Sequence, residues 1–204
     1  NDALGLSNSF NATILEFDFI PLGNKISFDY IFSSEQYLSN PSSGQCNFTD
    51  GFAFLLKRNG DLRYENLAVI PGTTTPVKVN TVRGPGTICP PANAAYFDAF
   101  NDVNHRTNYN GQTTVLTAQS DVIPGQTYHI KLVIADEGNF RYDSAIFLGG
   151  GSFNFTIDIG DDRLVANGNP LCQGENLVVN ATQTGATGYQ WFRNNISIPG
   201  ATNA

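Results

Sequence analysis

Alternation of apolar and polar residues is the sequence feature that most restricts the fold of this chain. In ATILEFDFIPL (12–22) the apolar Leu15, Phe17 and Phe19 alternate with acidic residues. The segment KISFDYIFSS (25–34) carries apolar residues at every second position in the same way. A repeat of two places successive side chains on opposite faces of an extended chain. Both segments are therefore predicted to be half-buried β-strands.

Turn signals separate further segments of the same kind. Asn59-Gly60 lies between two apolar runs, and Pro124-Gly125 lies between two others; such dipeptides are typical of tight turns. Only PANAAYFDAFNDVNH (91–105) has a spacing that would allow one or two helical turns. The other predicted strands lie in DGFAFLLKRNGDLRYENLAVIPG (50–72), TPVKVNTV (75–82), QTTVLTAQSDVIPGQTYHIKLVIAD (112–136) and DSAIFLGGGSFNFTIDIG (143–160).

Short strands with frequent turns favour an all-β chain, and we predict a jelly-roll-like antiparallel β-sandwich. A break at GDDRLVANGNPLCQGEN (160–176) separates this domain, residues 1–163, from a second module, residues 164–204. In the second module Cys172 is followed nineteen positions later by Trp191, a spacing that resembles the opening strands of immunoglobulin-like or PKD-like modules. So few residues predict an incomplete immunoglobulin-like β-sandwich.

The charge balance excludes several classes of partner. The chain has 18 acidic and 11 basic residues and a net charge of −7, and its Lys and Arg residues are dispersed. Nucleic acids and anionic membrane surfaces need a basic footprint, so neither is expected to bind. No apolar run approaches the roughly 20 residues of a membrane span, so no membrane insertion is expected in this segment.

The three cysteines suggest an oxidising environment. Cys46 and Cys89 both lie in segments rich in Pro, Gly and Ser, and they form a plausible disulfide pair in an exported protein. Two unrelated free thiols are the alternative. Cys172 has no obvious mate in this sequence. A cysteine-ligated metal is not expected, because no CxxC spacing occurs and the chain has only two histidines, His105 and His129.

Several motifs in order resemble one known family. They are LEFDFIPLGNKISFDYIFSSEQY, NLAVIPGTTTPVKVN, TTVLTAQSDVIPGQTYHIKLVIADEGN and YDSAIFLGGGSF. Together they resemble the choice-of-anchor L domain, which occurs in large secreted and cell-surface proteins of bacteria, many of them Bacteroidetes. Two residues depart from the family pattern: Gln36 stands where a Glu is usual, and Asn139 stands where an Asp is frequent. Both differences lower the local negative charge and would weaken a metal site.

The resemblance implies surface display and adhesion without an established chemistry. It implies neighbouring immunoglobulin-like modules in the same long chain and attachment to the cell surface through a C-terminal signal outside this segment. We therefore expect a non-enzymatic module of a secreted cell-surface adhesin, with an extracellular ligand or polymer, such as a glycan, as its partner. A purely structural unit of a stalk or filament is the alternative, and a glycan-active enzyme is a third reading.

Acidic residues at strand ends raise the question of a metal. Hard cations such as Ca²⁺ bind about 6–8 oxygen ligands, and acids from converging loops could supply them. We expect a calcium site formed by Glu35, Asp50, Asp136 and Asp143. In the alternative, Asp136 and Asp143 cap turns by accepting backbone N–H bonds. Glu35 and Asp50 are also the one carboxylate pair that could serve a glycosidase.

Two polar loops carry candidates for sugar binding. The segments EQYLSNPSSGQCNFTDG (35–51) and YFDAFNDVNHRTNYNGQ (96–112) combine aromatic rings with amide and carboxylate side chains. Such loops are either recognition surfaces or ordinary solvated connections whose aromatic residues pin them to the sandwich. The candidate ligand-binding residues are Tyr37, Tyr96, Asn101, Asp102, Asn104, Asn108 and Tyr109.

Overall fold

The computed structural model describes residues 8–101, 107–138, 141–156, 159, 163–182, 186–194 and 196–204. Twelve β-strands and three short 3₁₀ helices make up the regular structure of these residues, and the prediction of an all-β chain is confirmed. The 3₁₀ helices are Ser43–Asn47, Ala94–Tyr96 and Val165–Asn167. The strands are β1 (Ser9–Phe19), β2 (Lys25–Ser34), β3 (Asp50–Arg58), β4 (Glu65–Asn66), β5 (Phe97–Phe100), β6 (Gly111–Thr113), β7 (Leu116–Asp121), β8 (Tyr128–Glu137), β9 (Ser144–Leu148), β10 (Asn154–Thr156), β11 (Phe192–Arg193) and β12 (Ile196–Ser197).

The first sheet has four antiparallel strands in the order β1-β8-β3-β4. Strand β8 lies between the two long strands β1 and β3, and it pairs with each of them over nearly its whole length. This register places Asp50 at the start of β3 directly opposite Asp136 near the end of β8. Two carboxylates on adjacent strands therefore meet at one end of the sheet.

The second sheet is built around β2, which pairs with four antiparallel strands. Tyr30 pairs with Leu116 of β7 and also with Leu148 of β9, so these two strands lie on opposite edges of β2. By the same reasoning β6 continues the β7 edge and β10 continues the β9 edge. Strand β5 then pairs with β6 on its outer side.

The hydrophobic core lies between the two sheets, as expected for a β-sandwich. Alternate side chains of β2 point inward and meet the inward side chains of β3. Phe54 contacts the rings of Phe28 and Tyr30 at centroid distances of 4.8 and 5.0 Å, and Tyr30 contacts Phe52 at 5.2 Å. Each buried aromatic ring contributes about 1.5–3 kcal/mol through removal from water, so this layer stabilises the sandwich.

The structure differs from two predictions of local structure. The segment TPVKVNTV (75–82) forms only isolated bridges, although Val77, Val79 and Val82 are buried. The alternating pattern arises because one side of this segment is buried. A strand does not form at its start because Pro76 has no N–H to donate to a neighbouring strand. Where the sequence allows one or two helical turns in residues 91–105, the structure has one 3₁₀ turn, Ala94–Tyr96, followed by β5. Residues 102–106 lie outside the described residues.

The C-terminal residues carry little regular structure among those described. Strands β11 and β12 form a hairpin next to Trp191, whose indole N–H donates to the Asn203 carbonyl at 2.7 Å. The backbone N–H of Trp191 donates to the Ala201 carbonyl at 3.1 Å. The prediction that residues 164–204 begin an immunoglobulin-like module stays a prediction.

A separate observation concerns the membrane. Within the described ranges, no helix combines the length and the apolar character that crossing a bilayer requires.

Candidate functional site

Asp50 connects the two sheets at one end of the sandwich. Its side-chain oxygen Oδ2 accepts hydrogen bonds from the hydroxyls of Ser34 on β2, at 3.1 Å, and Ser144 on β9, at 2.6 Å. The residue is only 3% exposed. The pKa of Asp50 is raised to about 6: burial is the largest cause and the nearby charge of Asp136 acts in the same direction, while the two serine hydroxyls act in the opposite direction.

Asp136 lies opposite Phe10 near the start of β1, where the strand contains a bulge between Phe10 and Thr13. Asn11 in this bulge has a left-handed backbone with φ of 49°, a conformation that Asn tolerates better than most residues. The bulge turns its side chain toward β8, and Asn11 Nδ2 donates to Asp136 Oδ2 at 3.2 Å. Burial raises the pKa of Asp136, and the charge of Asp143 adds to this effect.

Glu35 and Asp143 hold the two neighbouring loops together through the backbone. The N–H of Glu35 donates to the Asp143 carbonyl at 2.9 Å, and the N–H of Asp143 donates to Glu35 Oε2 at 3.2 Å. The Glu35 carboxylate thus caps the backbone at Asp143. Capping of the adjoining loop by the Asp136 and Asp143 side chains stays a prediction, since residues 139 and 140 lie outside the described residues. The Asp143 side chain is exposed, so it remains accessible to a ligand.

The four acids thus lie at the same end of the sandwich but in different environments. Within the part of the chain that the structure describes, no three His, Cys, Asp or Glu side chains form a group that could hold a metal ion. Asp50 is engaged by two serine hydroxyls and by the backbone of Glu137. Calcium binding at Glu35, Asp50, Asp136 and Asp143 stays a prediction from the sequence.

The calcium prediction has a direct test in thermal stability. If an ion binds these acids, millimolar Ca²⁺ is expected to raise Tm by several degrees relative to EDTA, because the ion binds only the folded protein. Equal Mg²⁺ is the control, since Mg²⁺ demands a stricter octahedral site. An unchanged Tm in calorimetry would contradict the prediction.

An open polar cleft lies beside these acids. It has a volume of about 380 Å³, and its polar side chains come from β1, the β8 end, β9 and the loop before β6. Tyr109 forms one wall, with its ring half-buried and 6.3 Å from the ring of Phe147. Burial and the charges of Asp143 and Glu35 raise the pKa of Tyr109. The polar residues that line the cleft are Asn11, Thr13, Tyr109, Asp136, Asp143 and Ser144.

Two residues predicted to bind sugar lie in the interior, which corrects the prediction for them. Tyr37 is 1% exposed, and its ring packs between Phe32 and Phe97, so it cannot stack on an external ligand. Asn101 is also buried, and its amide nitrogen donates to Thr107 Oγ1 and to the Tyr109 carbonyl. Both side chains hold the loops in place.

The remaining candidates from these loops differ from one another in position. Tyr96 is half-buried against the core, and Asn108 is exposed. Of the candidates among the described residues, Tyr109 alone lines the polar cleft. Asp102 and Asn104, like His105, lie outside the described residues.

His129 lies on β8, and its ring nitrogens contact Asp18 at 2.7 Å and Glu16 at 3.5 Å.

The disulfide between Cys46 and Cys89 is present and joins the two cysteine-containing loops. Cys172 is a free, exposed thiol. A disulfide fits a protein that folds and functions outside the cytoplasm.

Sequence reasoning did not identify Asn11, Thr13, Ser34 or Ser144 as part of this region. Ser34 and Ser144 are adjacent in sequence to the predicted Glu35 and Asp143, and that adjacency was the available signal. Nothing local distinguishes Asn11 and Thr13, because their role depends on the pairing of β1 with β8.

A second depression between β1 and β9 is apolar. It has a volume of about 160 Å³, and Leu15, Leu132, Ile146 and Leu148 line it. It contains none of the residues predicted from the sequence to bind a ligand, although Thr13 borders both depressions. Because hydrogen-bonding groups orient a ligand and provide specificity, we assign the candidate site to the polar cleft.

Comparison with known proteins supports the relationship that the motifs suggest. No curated protein and no solved structure matches the chain. The family model of the choice-of-anchor L domain matches residues 1–154 of the 204. This match covers β1 to β9, the first residue of β10 and every residue of the polar cleft. The chain therefore belongs to the choice-of-anchor L domain family, which places it among secreted or cell-surface proteins.

Proposed function

We propose that the chain is a non-enzymatic, ligand-binding module of a secreted bacterial adhesin, and that it binds a neutral carbohydrate in the polar cleft. The supporting observation is the convergence of Tyr109 with hydrogen-bonding side chains in one open cleft of about 380 Å³. This volume lies within the range of small-molecule sites. Neighbouring immunoglobulin-like modules and a C-terminal attachment signal complete the proposed surface protein.

The chemistry of the lining suits a sugar. Carboxylates accept hydrogen bonds, hydroxyls both donate and accept, and the Asn11 amide does both. A sugar presents adjacent hydroxyls that need such a mixed set of partners, and its apolar ring face can contact an aromatic side chain such as Tyr109. Asp143 is exposed, and its carboxylate is positioned to accept from ligand hydroxyls.

Electrostatics narrows the class of glycan. Asp136 and Asp143 line the cleft, Glu35 is close enough to perturb Tyr109, and the chain as a whole carries a net charge of −7. An anionic glycan with carboxylate or sulfate groups would be repelled. Neutral glycans are therefore the expected ligands.

A glycan array followed by calorimetry on the best ligand tests this proposal. Tyr109→Ala is expected to weaken binding about tenfold or more, because the substitution removes one wall of the cleft. Tyr64→Ala is the matched control, since Tyr64 is an exposed tyrosine beyond the opposite end of β3 from Asp50. The control is expected to bind as the wild type does.

Two outcomes would contradict the proposal in different ways. Absence of binding to every neutral glycan would favour the alternative of a purely structural stalk or filament unit. Release of reducing sugar from a bound polysaccharide would instead show a glycan-active enzyme, with Glu35 and Asp50 as the first carboxylates to substitute.

A further inference from the structure

The gap between β1 and β9 is bordered by two strand edges, one from each sheet. Among the described strands, β1 pairs only with β8, and β9 pairs only with β2. In that part of the chain, no strand covers the other side of either one. An uncovered strand edge presents a row of backbone N–H and C=O groups to which a further strand can pair.

Side chains that face the sandwich interior are exposed at this gap. Phe54, which faces inward from the middle of the first sheet, is only 1% exposed. Leu15 of β1 is 55% exposed and Leu148 of β9 is 48% exposed, although both line the apolar depression between the sheets. These inward positions therefore have the apolar character of a core without its burial.

Three depressions follow β1 in steps of two residues. The polar cleft contacts β1 at Asn11 and Thr13, and the apolar depression contacts it at Thr13 and Leu15. A third, apolar depression of about 60 Å³ contacts β1 at Leu15 and Phe17. Two residues of an antiparallel strand span about 6.8 Å, and side chains two residues apart point to the same face. The repeat therefore fits alternate side chains of an added strand, whereas an acyl chain would need no such repeat.

The size of each depression restricts the side chain that it accepts. The middle depression has a volume of about 160 Å³. Apolar cavities of about 150 Å³ accommodate a six-carbon ring, so a large apolar side chain such as Leu fits there. The third depression, at about 60 Å³, accepts a small apolar side chain such as Val. The polar cleft, at about 380 Å³, has room for a long side chain.

The charge at the polar end specifies the third side chain. Asp136 and Asp143 line the cleft there, and the Glu35 charge is close enough to affect Tyr109. A Lys or Arg that enters the cleft is attracted by these carboxylates, whereas a Glu or Asp is repelled.

We propose that β1 binds an extended segment of a partner protein as an added strand. The segment carries a small apolar residue, a large apolar residue and a Lys or Arg at successive alternate positions. It runs antiparallel to β1, as β8 does, because antiparallel pairing is the more stable form per residue. Main-chain hydrogen bonds provide the affinity in such recognition, and pockets for alternate side chains provide the specificity.

This proposal goes beyond carbohydrate binding and shares only the polar cleft with it. A peptide bound along β1 places its basic side chain in that cleft, so it is expected to compete with a glycan there.

Calorimetry with capped seven-residue peptides tests the proposal. The peptide Thr-Val-Thr-Leu-Thr-Lys-Thr presents Val, Leu and Lys on one face, and it is expected to bind with a stoichiometry of one. The peptide Thr-Thr-Val-Leu-Lys-Thr-Thr has the same composition, but its three consecutive residues cannot all face the groove. It is expected to bind about tenfold more weakly or worse, because a strand places neighbouring side chains on opposite faces.

Charge reversal tests the orientation of the peptide. Replacing the Lys of the first peptide by Glu is expected to weaken binding about fivefold or more. The variant Asp143→Lys is expected to reverse this preference, and Asp143 is an exposed position that tolerates the change. Asp61→Lys is the matched control, because Asp61 is an exposed acid in the turn after β3. It is expected to keep the preference of the wild type for Lys.

Three results would overturn the proposal. Equal binding of the alternating and the consecutive peptide would show that the groove collects apolar groups without pairing a strand. A dimer in sedimentation without peptide, which Leu15→Arg dissociates, would assign the groove to a second copy of the chain. Binding of a neutral glycan without binding of any peptide would refute the added strand and leave the carbohydrate proposal intact.

Discussion

Replacing Cys46 and Cys89 together with alanine is expected to lower the free energy of unfolding by about 3–4 kcal/mol. The two residues are 43 positions apart in sequence, so the bond restricts a long loop in the unfolded chain. The chain-entropy model assigns about 4 kcal/mol to a loop of this length, and measured values are often somewhat lower. Urea unfolding of the oxidised wild type and the double variant measures the difference.

Cys172→Ala is the matched control for this prediction. Cys172 is a free and exposed cysteine, and its substitution is expected to change the free energy of unfolding by less than about 0.5 kcal/mol. A loss below about 1 kcal/mol in the double variant would contradict the prediction. It would mean that packing of the Tyr37 and Cys89 region alone holds the loops.

Stability is expected to fall as the pH rises from about 4 to about 6, with Asp50 as the main cause. Burial raises the pKa of Asp50 from 3.8 to about 6 in the folded protein. The folded state therefore holds this proton more tightly than the unfolded chain does. The stabilisation that this Asp50 proton provides is fully present below about pH 4 and is lost as the pH rises through about 6. This difference in pKa corresponds to a contribution on the order of 2–3 kcal/mol.

Asp50→Asn isolates this contribution, because the amide keeps the shape of the side chain and does not titrate. Between pH 4 and pH 7 the free energy of unfolding of the wild type is expected to fall by about 2–3 kcal/mol more than that of the variant. Asp61→Asn is the matched control: the same change is made at an exposed carboxylate that pairs with Arg58, and the fall between pH 4 and 6 is expected to remain. Parallel pH profiles for the wild type and Asp50→Asn would contradict the assignment.

Much of the fold could be predicted from local pattern. The alternation in residues 25–34 corresponds to β2, in which every second side chain from Ile26 to Phe32 is buried. The Asn59-Gly60 turn follows β3, and Gly60 has φ of 91°, a conformation that suits glycine. The segment 75–82 shows the limit of such reasoning. Its alternating valines are buried without a strand, because burial on one side produces the same pattern as a sheet does.

The candidate site could be predicted only in part. Asp50, Asp136 and Asp143 were recognised as acids at strand ends, and Tyr109 as an aromatic residue in a polar loop. Their different environments were not visible, since Asp50 is buried between two serines while Asp143 is exposed. Tyr37 lies in an equally polar stretch, but its ring enters the core where Gly111 leaves room for it; a Cβ at Gly111 would lie 2.7 Å from the Cβ of Tyr37.

The sequence by itself determined that this chain forms β-strands, where most of them lie, and which two cysteines could pair. These properties follow from neighbouring residues, because the strand period and the turn residues act over a few positions. Tertiary structure decided which strand ends meet. Ser34, Asp50 and Ser144 come together only because the sheet register and the packing of two layers bring distant parts of the chain to one end of the sandwich. The polar cleft depends on that convergence, which no local pattern encodes.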